Sequence, residues 1–286
     1  MITINAPAKI NLGLHVVGQR EDGYHTIETL FQAVDLCDEL HLSPAESGVS
    51  LRVEGIDLDG GEGNLVHRAA TRLLDTASCH KGVAVRLVKR IPVGAGLGGG
   101  SSDAAATLKG LVDLYNIPLS TGALVELASS LGADVPFFLN GPTAFGRGIG
   151  DILESAPPLP PFWVVIVKPD FPIATGWVYQ EYDSGLTKTG NKIKILKSAV
   201  ASGDAWRIGE SLFNDLESIC FKRFPVLAEI KKGLLTLGAC GALMSGSGSS
   251  VFGLFIDSGE ARRACRSIIK CGREDREVFL CRTILK

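Results

Sequence analysis

The sequence predicts an α+β fold in two lobes, and three observations predict it. Strand-like segments crowd the start, from Ile2 to Val53, before the first helical pattern. That is unlike the regular strand–helix alternation of a doubly wound sheet. Pro157-Pro-Leu-Pro-Pro161 is a stiff extended segment in which no helix can continue. It divides the chain into an N-terminal lobe, 1–156, and a C-terminal lobe, 157–286. The third observation is Pro92-Val-Gly-Ala-Gly-Leu-Gly-Gly-Gly-Ser-Ser102, with five glycines in eleven residues, set between a strand pattern and a helix pattern.

In chain order, Ile2 to Val17 reads as a strand or a broken pair of strands. Residues two apart on a strand share a face, so Lys9 and Asn11 are expected to point the same way. Lys9 reads either as a solvated lysine on an edge or as a functional cation. Arg20 to His25 is a polar turn that presents Tyr24 and His25 together. Thr26 to Leu36, Glu39 to Leu42 and Val49 to Val53 read as further strands. Asn64 is a good N-cap for a helix carrying Leu65, Ala69, Leu73 and Leu74. Val83 to Ile91 is a strand, and Ala104 to Tyr115 is a helix with Leu108, Leu111 and Leu114 at helical spacing. Ser120 opens the next helix. Asp134 then sits among Ala, Val, Pro and two Phe, either as a helix cap or as a functional acid. Beyond the proline segment come a buried strand at Trp163 to Val167 and a short helix at Thr175 to Tyr182 with Tyr179 on it. Two or three helices follow between Ile193 and Leu237. A loop at Met244 to Ser250 leads into a strand, and the chain closes with a helix at Glu260 to Lys270 and a strand at Glu277 to Leu285.

The chain has 286 residues, 45% hydrophobic and 21% charged, which is enough apolar material for two cores. A formal net charge of -2 gives no electrostatic case for nucleic acid or an anionic membrane surface. The start, Met-Ile-Thr-Ile-Asn, lacks a basic region and an apolar core, so no signal peptide is expected, and no apolar run suits a membrane helix. The seven cysteines include no C-x-x-C pair and read as reduced thiols of a cytoplasmic protein. The scattered histidines give no zinc spacing.

The glycine run carries the chemistry. Glycines let a backbone approach a ligand closely, and the first amides of a helix have no acceptor within it. With the helix dipole this makes an anion site, and phosphate is the expected occupant. A Walker A loop needs Lys after its last glycine, whereas Gly100 is followed by Ser101. A dinucleotide fingerprint needs an acidic residue ending a second strand, whereas the corresponding region is still helical.

Pro7-Ala-Lys-Ile-Asn-Leu12, Pro92 to Ser102 and Ser245-Gly-Ser-Gly248 together resemble the motifs of the GHMP kinases, the family of galactokinase, homoserine kinase and mevalonate kinase. Arg20-Glu-Asp-Gly-Tyr-His25 and Gly132-Ala-Asp-Val-Pro-Phe-Phe138 resemble the branch acting on a methylerythritol carried by cytidine diphosphate. The resemblance covers essentially the whole chain. It implies a two-lobed GHMP kinase fold, with an N-terminal ATP-binding lobe and a C-terminal α/β lobe. It also implies ATP as co-substrate, Mg²⁺, and transfer of phosphate to a tertiary hydroxyl in the non-mevalonate isoprenoid route. ATP would contact Asn64, Pro92, Val93, Gly94, Ala95, Gly96, Leu97, Gly98, Gly99, Gly100, Ser101 and Ser102. Lys9 and Asp134 match the catalytic pair, meeting in a crevice between the lobes, while Asn11 and Thr175 would position the alcohol. Tyr24 and Tyr179 would sandwich the cytosine and His25 would bond its polar edge. The resemblance names no magnesium ligands, and a monomer and a homodimer both fit it. A GHMP kinase of the homoserine or mevalonate type, a nucleotide-binding module without transferase activity, and a dinucleotide-dependent oxidoreductase are the competing readings.

Overall fold

The computed structural model describes residues 1–56, 58–183, 192–270 and 275–285. The chain opens with two long strands, β1 (Ile2–Gln19) and β2 (His25–Ala45), then β3 (Val49–Glu54), α1 (Leu65–Thr76) and β4 (Gly82–Val88). Next come α2 (Gly99–Tyr115), α3 (Thr121–Leu131), α4 (Phe137–Asn140), β5 (Thr143–Arg147) and β6 (Ile152–Ser155). After the proline segment follow β7 (Trp163–Pro169), α5 (Thr175–Asp183), α6 (Lys192–Ser202), α7 (Ala205–Glu210), β8 (Phe213–Asn214), α8 (Glu217–Arg223) and α9 (Pro225–Thr236). The last elements are β9 (Gly241–Met244), β10 (Val251–Phe255), α10 (Ser258–Lys270) and β11 (Arg276–Arg282).

These elements form two compact units, neither contiguous in sequence. The first comprises Met1–Ala8, Leu36–Pro92 and Gly98–Gly141; the second comprises Lys9–Asp35, Val93–Leu97 and Pro142–Lys286. Pro157 to Pro161 lies inside the second unit, so this packing division does not follow a cut at 156/157. The physical reason is strand length. β2 pairs antiparallel with β5 through Thr29–Gln32 and antiparallel with β4 through Glu39–Ala45, so its two ends serve different neighbours.

In the first unit β3 runs parallel to β4 and β4 antiparallel to β2. Helix α1 buries Val66, Ala69, Ala70, Leu73 and Leu74, the stripe its periodicity calls for. Gly110 lets α2 lie close to the sheet: a Cβ there would come within 2.5 Å of Ile4 Cδ1. In the second unit β11, β7, β10 and β9 make a four-stranded sheet, in that order. Val164 to Val167 of β7 are fully buried, and Val165 and Val167 pack in one cluster with residues of α9 and α10, including Leu227, Leu234, Ala261 and Ala264. β1 and β8 are parallel through Gly13–Phe213 and Leu14–Asn214.

The structure departs from the sequence expectation in several places. The two strands expected between Thr26 and Leu42 are one strand, because Asp38 does not turn the chain. Its carboxylate instead accepts from the Arg90 and Ile91 amides at 2.5 and 2.8 Å. Helix α2 starts at Gly99 rather than Ala104, since left-handed Gly98 (φ 70°) turns the chain directly into it. Four helices, not two or three, lie between Lys192 and Thr236, and the short strands β5, β6, β8 and β9 carried too little alternation to be read. The six described cysteines are free thiols, and Cys271 lies outside the described residues. Burial pushes the Cys220 thiol up to about 12 and that of Cys240 up to about 11, so both are protonated and unreactive at neutral pH.

Candidate active site

In the second unit, β1 places the side chains of Lys9 and Asn11 on one face, as strand geometry requires. Lys9 is 4% exposed and its Nζ donates to Asn11 Oδ1 at 2.7 Å. The orientation of the Asn11 amide is fixed from the far side. Thr29 donates its hydroxyl proton to the Gly13 carbonyl at 2.7 Å, so the Thr29 oxygen can accept from Asn11 Nδ2 at 2.8 Å. The Lys9 ammonium also stands 5.2 Å from the centroid of the Phe31 ring. The Lys9 amide donates to the Leu97 carbonyl at 2.9 Å, tying the strand to the first glycine run.

The second small-residue loop meets the same strand. Ser245 Oγ accepts from the Asn11 amide at 3.3 Å and donates to the Gly96 carbonyl at 2.9 Å. Gly96 (φ 73°) must be glycine, since a Cβ would lie 2.1 Å from the Ser245 carbonyl oxygen. Thr175, at the start of α5, shares a 2.8 Å hydrogen bond with Ser247. His25 stacks on Tyr179 with ring centroids 4.8 Å apart and planes 26° from parallel. Tyr24, beside His25 in sequence, is 63% exposed and its ring stands in solvent. Lys9, Asn11, Thr175, His25 and Tyr179, and the stretch Val93, Gly94, Ala95, Gly96 and Leu97, all belong to this unit, as does Tyr24.

The first unit holds Asn64, Pro92, Gly98, Gly99, Gly100, Ser101, Ser102 and Asp134. Asn64 caps α1: its Oδ1 accepts from the Val66 amide at 3.0 Å while its Nδ2 donates to the Asp59 carbonyl. The glycine run delivers Ser101, Ser102 and Asp103 into the first turns of α2. Ser102 Oγ is buried without a hydrogen-bond partner among the described residues. A buried hydroxyl at a helix N-terminus with its bonding capacity unspent suits a phosphate oxygen or a hard cation. Beneath it Lys89 bridges two carboxylates, pairing with Asp38 and, at 2.8 Å, with Asp103. Burial pulls the Lys89 ammonium down, but Asp103 and Asp38 together outweigh it and the net shift is upward. Burial raises Asp103 to about 7, the repulsion from Asp38 adding to burial and the attraction of Lys89 opposing both. Asp134 is half-buried in the turn before α4, whose cap position is Pro136 with no side-chain bond.

Sequence reasoning gave no role to Thr29, Ser245, Lys89 or Asp38. The repeated Ser-Gly pattern was a signal for Ser245. A lysine buried between two acids leaves no local mark.

The chain belongs to the GHMP kinase family. The N-terminal domain model of GHMP kinases matches residues 64–142 and the C-terminal model matches residues 196–274. Among curated proteins, the 4-diphosphocytidyl-2-C-methyl-D-erythritol kinase of Pelotomaculum thermopropionicum is 46% identical over 284 residues, covering 99% of this chain and 98% of its own. The crystal structure of a 4-(cytidine 5'-diphospho)-2C-methyl-D-erythritol kinase superposes with a TM-score of 0.83 at 39% identity, covering 99% of both chains. A homoserine kinase from Cytophaga hutchinsonii reaches a TM-score of 0.78 at 21% identity over 99% of this chain and 94% of its own, a likeness of fold alone. No described helix is long and apolar enough to cross a membrane.

Proposed function

We propose that the protein transfers the γ-phosphoryl group of ATP to the C2 hydroxyl of 4-diphosphocytidyl-2-C-methyl-D-erythritol, a step of the non-mevalonate isoprenoid route. The observation that carries the reading is the fixed series Lys9–Asn11–Thr29, a buried cation held on a strand that is bonded to both small-residue loops.

In this reaction the C2 oxygen forms a bond to the γ-phosphorus, the bond from that phosphorus to the β,γ-bridging oxygen breaks, and ADP leaves. Asp134 accepts the hydroxyl proton as general base, which a poorly nucleophilic tertiary alcohol needs. Lys9 supplies positive charge to the transferring group, and Asn11 and Thr175 orient the acceptor. Gly94 to Ser102 receive the triphosphate and Asn64 the adenosine. Tyr24, Tyr179 and His25 hold the cytosine; a ring as exposed as Tyr24 is suited to be covered by a base. The Ser102 hydroxyl fits a magnesium ion that takes most of its ligands from phosphate and water, as no group of three metal-ligating His, Cys, Asp or Glu side chains occurs among the described residues. Bound there, Mg²⁺ would neutralise charge on the β- and γ-phosphates. We place the protein in the cytoplasm as a monomer or homodimer, with family domains at 1–156 and 157–286.

The test is ADP release with the cytidylylated methylerythritol beside mevalonate, homoserine and galactose. Turnover of one of the latter with none of the former would sink the assignment. Asp134→Asn and Lys9→Ala should each lower kcat about 10³-fold with ATP still bound. Wild-type kcat in either variant removes that residue from the chemistry.

A further inference from the structure

Asn214 at the end of β8 and Glu217 at the start of α8 hold three backbone groups of Met244 and Gly246, where β9 passes into the Ser245–Gly248 loop. Asn214, buried at the end of β8, donates both amide protons, to the Met244 carbonyl at 2.9 Å and the Gly246 carbonyl at 2.7 Å. Its Oδ1 accepts from the Leu216 amide at 3.0 Å, so all three contacts agree on one orientation of the amide group. Glu217 Oε1 accepts from the Met244 amide at 2.9 Å, and its other oxygen is held by Lys231 at 2.6 Å. The loop so held packs on the catalytic strand. Gly246 is left-handed (φ 58°), and a Cβ there would lie 3.3 Å from Asn11 Oδ1 and 3.7 Å from Lys9 Nζ. Ser245, next to it, bonds the Asn11 amide and the Gly96 carbonyl.

We infer that Asn214 and Glu217 are positioning residues for phosphoryl transfer: they fix the backbone of Met244 to Gly246, and through it the placement of Asn11 and Lys9. The inference rests on the kinase reading above. Neither side chain touches the Lys9–Asn11 pair in the contacts described, so each acts through the loop. An apolar side chain of similar size would leave two buried carbonyls unpaired, so shape alone cannot do this work.

Asn214→Asp keeps the size and the acceptor for the Leu216 amide but turns both donors into an oxygen facing carbonyls. Misplacement of a reacting group by about 1 Å costs about 100-fold in kcat, and a fall of that order is expected here with the KM for ATP little changed. Backbone amide exchange at residues 244–248 should quicken. Glu217→Ala should lower kcat about 10-fold, and Glu217→Gln, which keeps an oxygen for the Met244 amide, should restore most of it. If Asn214→Asp does not fold, the Glu217 pair carries the test. Unchanged kcat in both Asn214→Asp and Glu217→Ala, no rescue by Glu217→Gln, or unchanged exchange at the loop would each overturn the inference. Wild-type transfer to the cytidylylated alcohol is measured first. Its absence overturns the substrate assignment, while the exchange rates, which need no acceptor, still judge the clamp.

Discussion

The runs Gly94–Gly100 and Ser245–Gly248 are close in composition, yet one opens into helix α2 and the other ends at strand β10. In the first, alternate glycines at Gly94, Gly96 and Gly98 take positive φ and the chain then enters the helix, whose first amides point forward without intrahelical acceptors. In the second, the backbone is bonded within the protein: the Ser245 amide donates to the Ser250 carbonyl, the Gly248 amide to the Ser245 carbonyl, and Asn214 holds two more carbonyls. The first therefore ends in helix amides without intrahelical acceptors, while the second brings main chain up to Lys9 and Asn11. Glycine in a loop has no function of its own; the element that follows decides which use is made of it.

Substitutions at the two loops sharpen this contrast. Gly96→Ala should have the largest effect. Its methyl would meet backbone, the Ser245 and Gly248 carbonyl oxygens at 2.1 and 3.0 Å, at a positive φ. We expect a loss of about 3 kcal/mol or more, measured by denaturant unfolding. A variant as stable as wild type would show that the two runs do not interlock.

Gly246→Ala should separate stability from turnover. Its nearest atoms are Asn11 Oδ1 at 3.3 Å, the Gly96 carbonyl oxygen at 3.6 Å and Lys9 Nζ at 3.7 Å, none a severe clash, so the stability cost is about 1–2 kcal/mol of backbone strain, while kcat falls about 10-fold or more. Equal losses in ATP affinity and in kcat would count against a role on the acceptor side.

Ser102→Ala removes a buried hydroxyl that has no partner among the described residues, so stability should be unchanged or slightly higher. Affinity for MgATP by calorimetry should fall about 10-fold, as expected for a lost hydrogen bond to a charged group. Unaltered affinity would take Ser102 out of the phosphate site.

The last comparison concerns pH. Asp103 is raised from its ordinary value of 3.8 to about 7, so between those values the folded chain holds a proton that the unfolded chain has released. Stability from this group is therefore full below pH 3.8 and declines as pH rises towards 7, by up to about 1.4 kcal/mol per pH unit. Asp103→Asn should leave Lys89 paired with Asp38 alone. Its melting temperature should gain on wild type between pH 5 and pH 8, and a gap that does not change with pH would refute the shift.

Much of this was legible beforehand. Asn64 and Ser120 are caps because a short polar side chain before an apolar helical stripe has one efficient use, accepting a first-turn amide. That Lys9 and Asn11 share a face follows from the period of a strand. The cluster of Lys89, Asp38 and Asp103 was not legible, since Lys89 and Asp38 are 51 residues apart and each looks like an ordinary surface charge in its own segment. His25 and Tyr179 were brought together only by the family resemblance, and their direct stacking joins a strand to a helix from a distant part of the chain.

By itself the sequence determined the α+β class, the caps, the glycine loop opening a helix, and the kinase family, because each is written in neighbouring residues and in short-range periodicity. Only the tertiary structure decided that Thr29 orients Asn11, that Asn214 and Glu217 grip the second loop, and that the long strands β1 and β2 are shared between two compact units. Those outcomes depend on which backbone groups remain to be bonded once distant segments pack, and no local pattern records that.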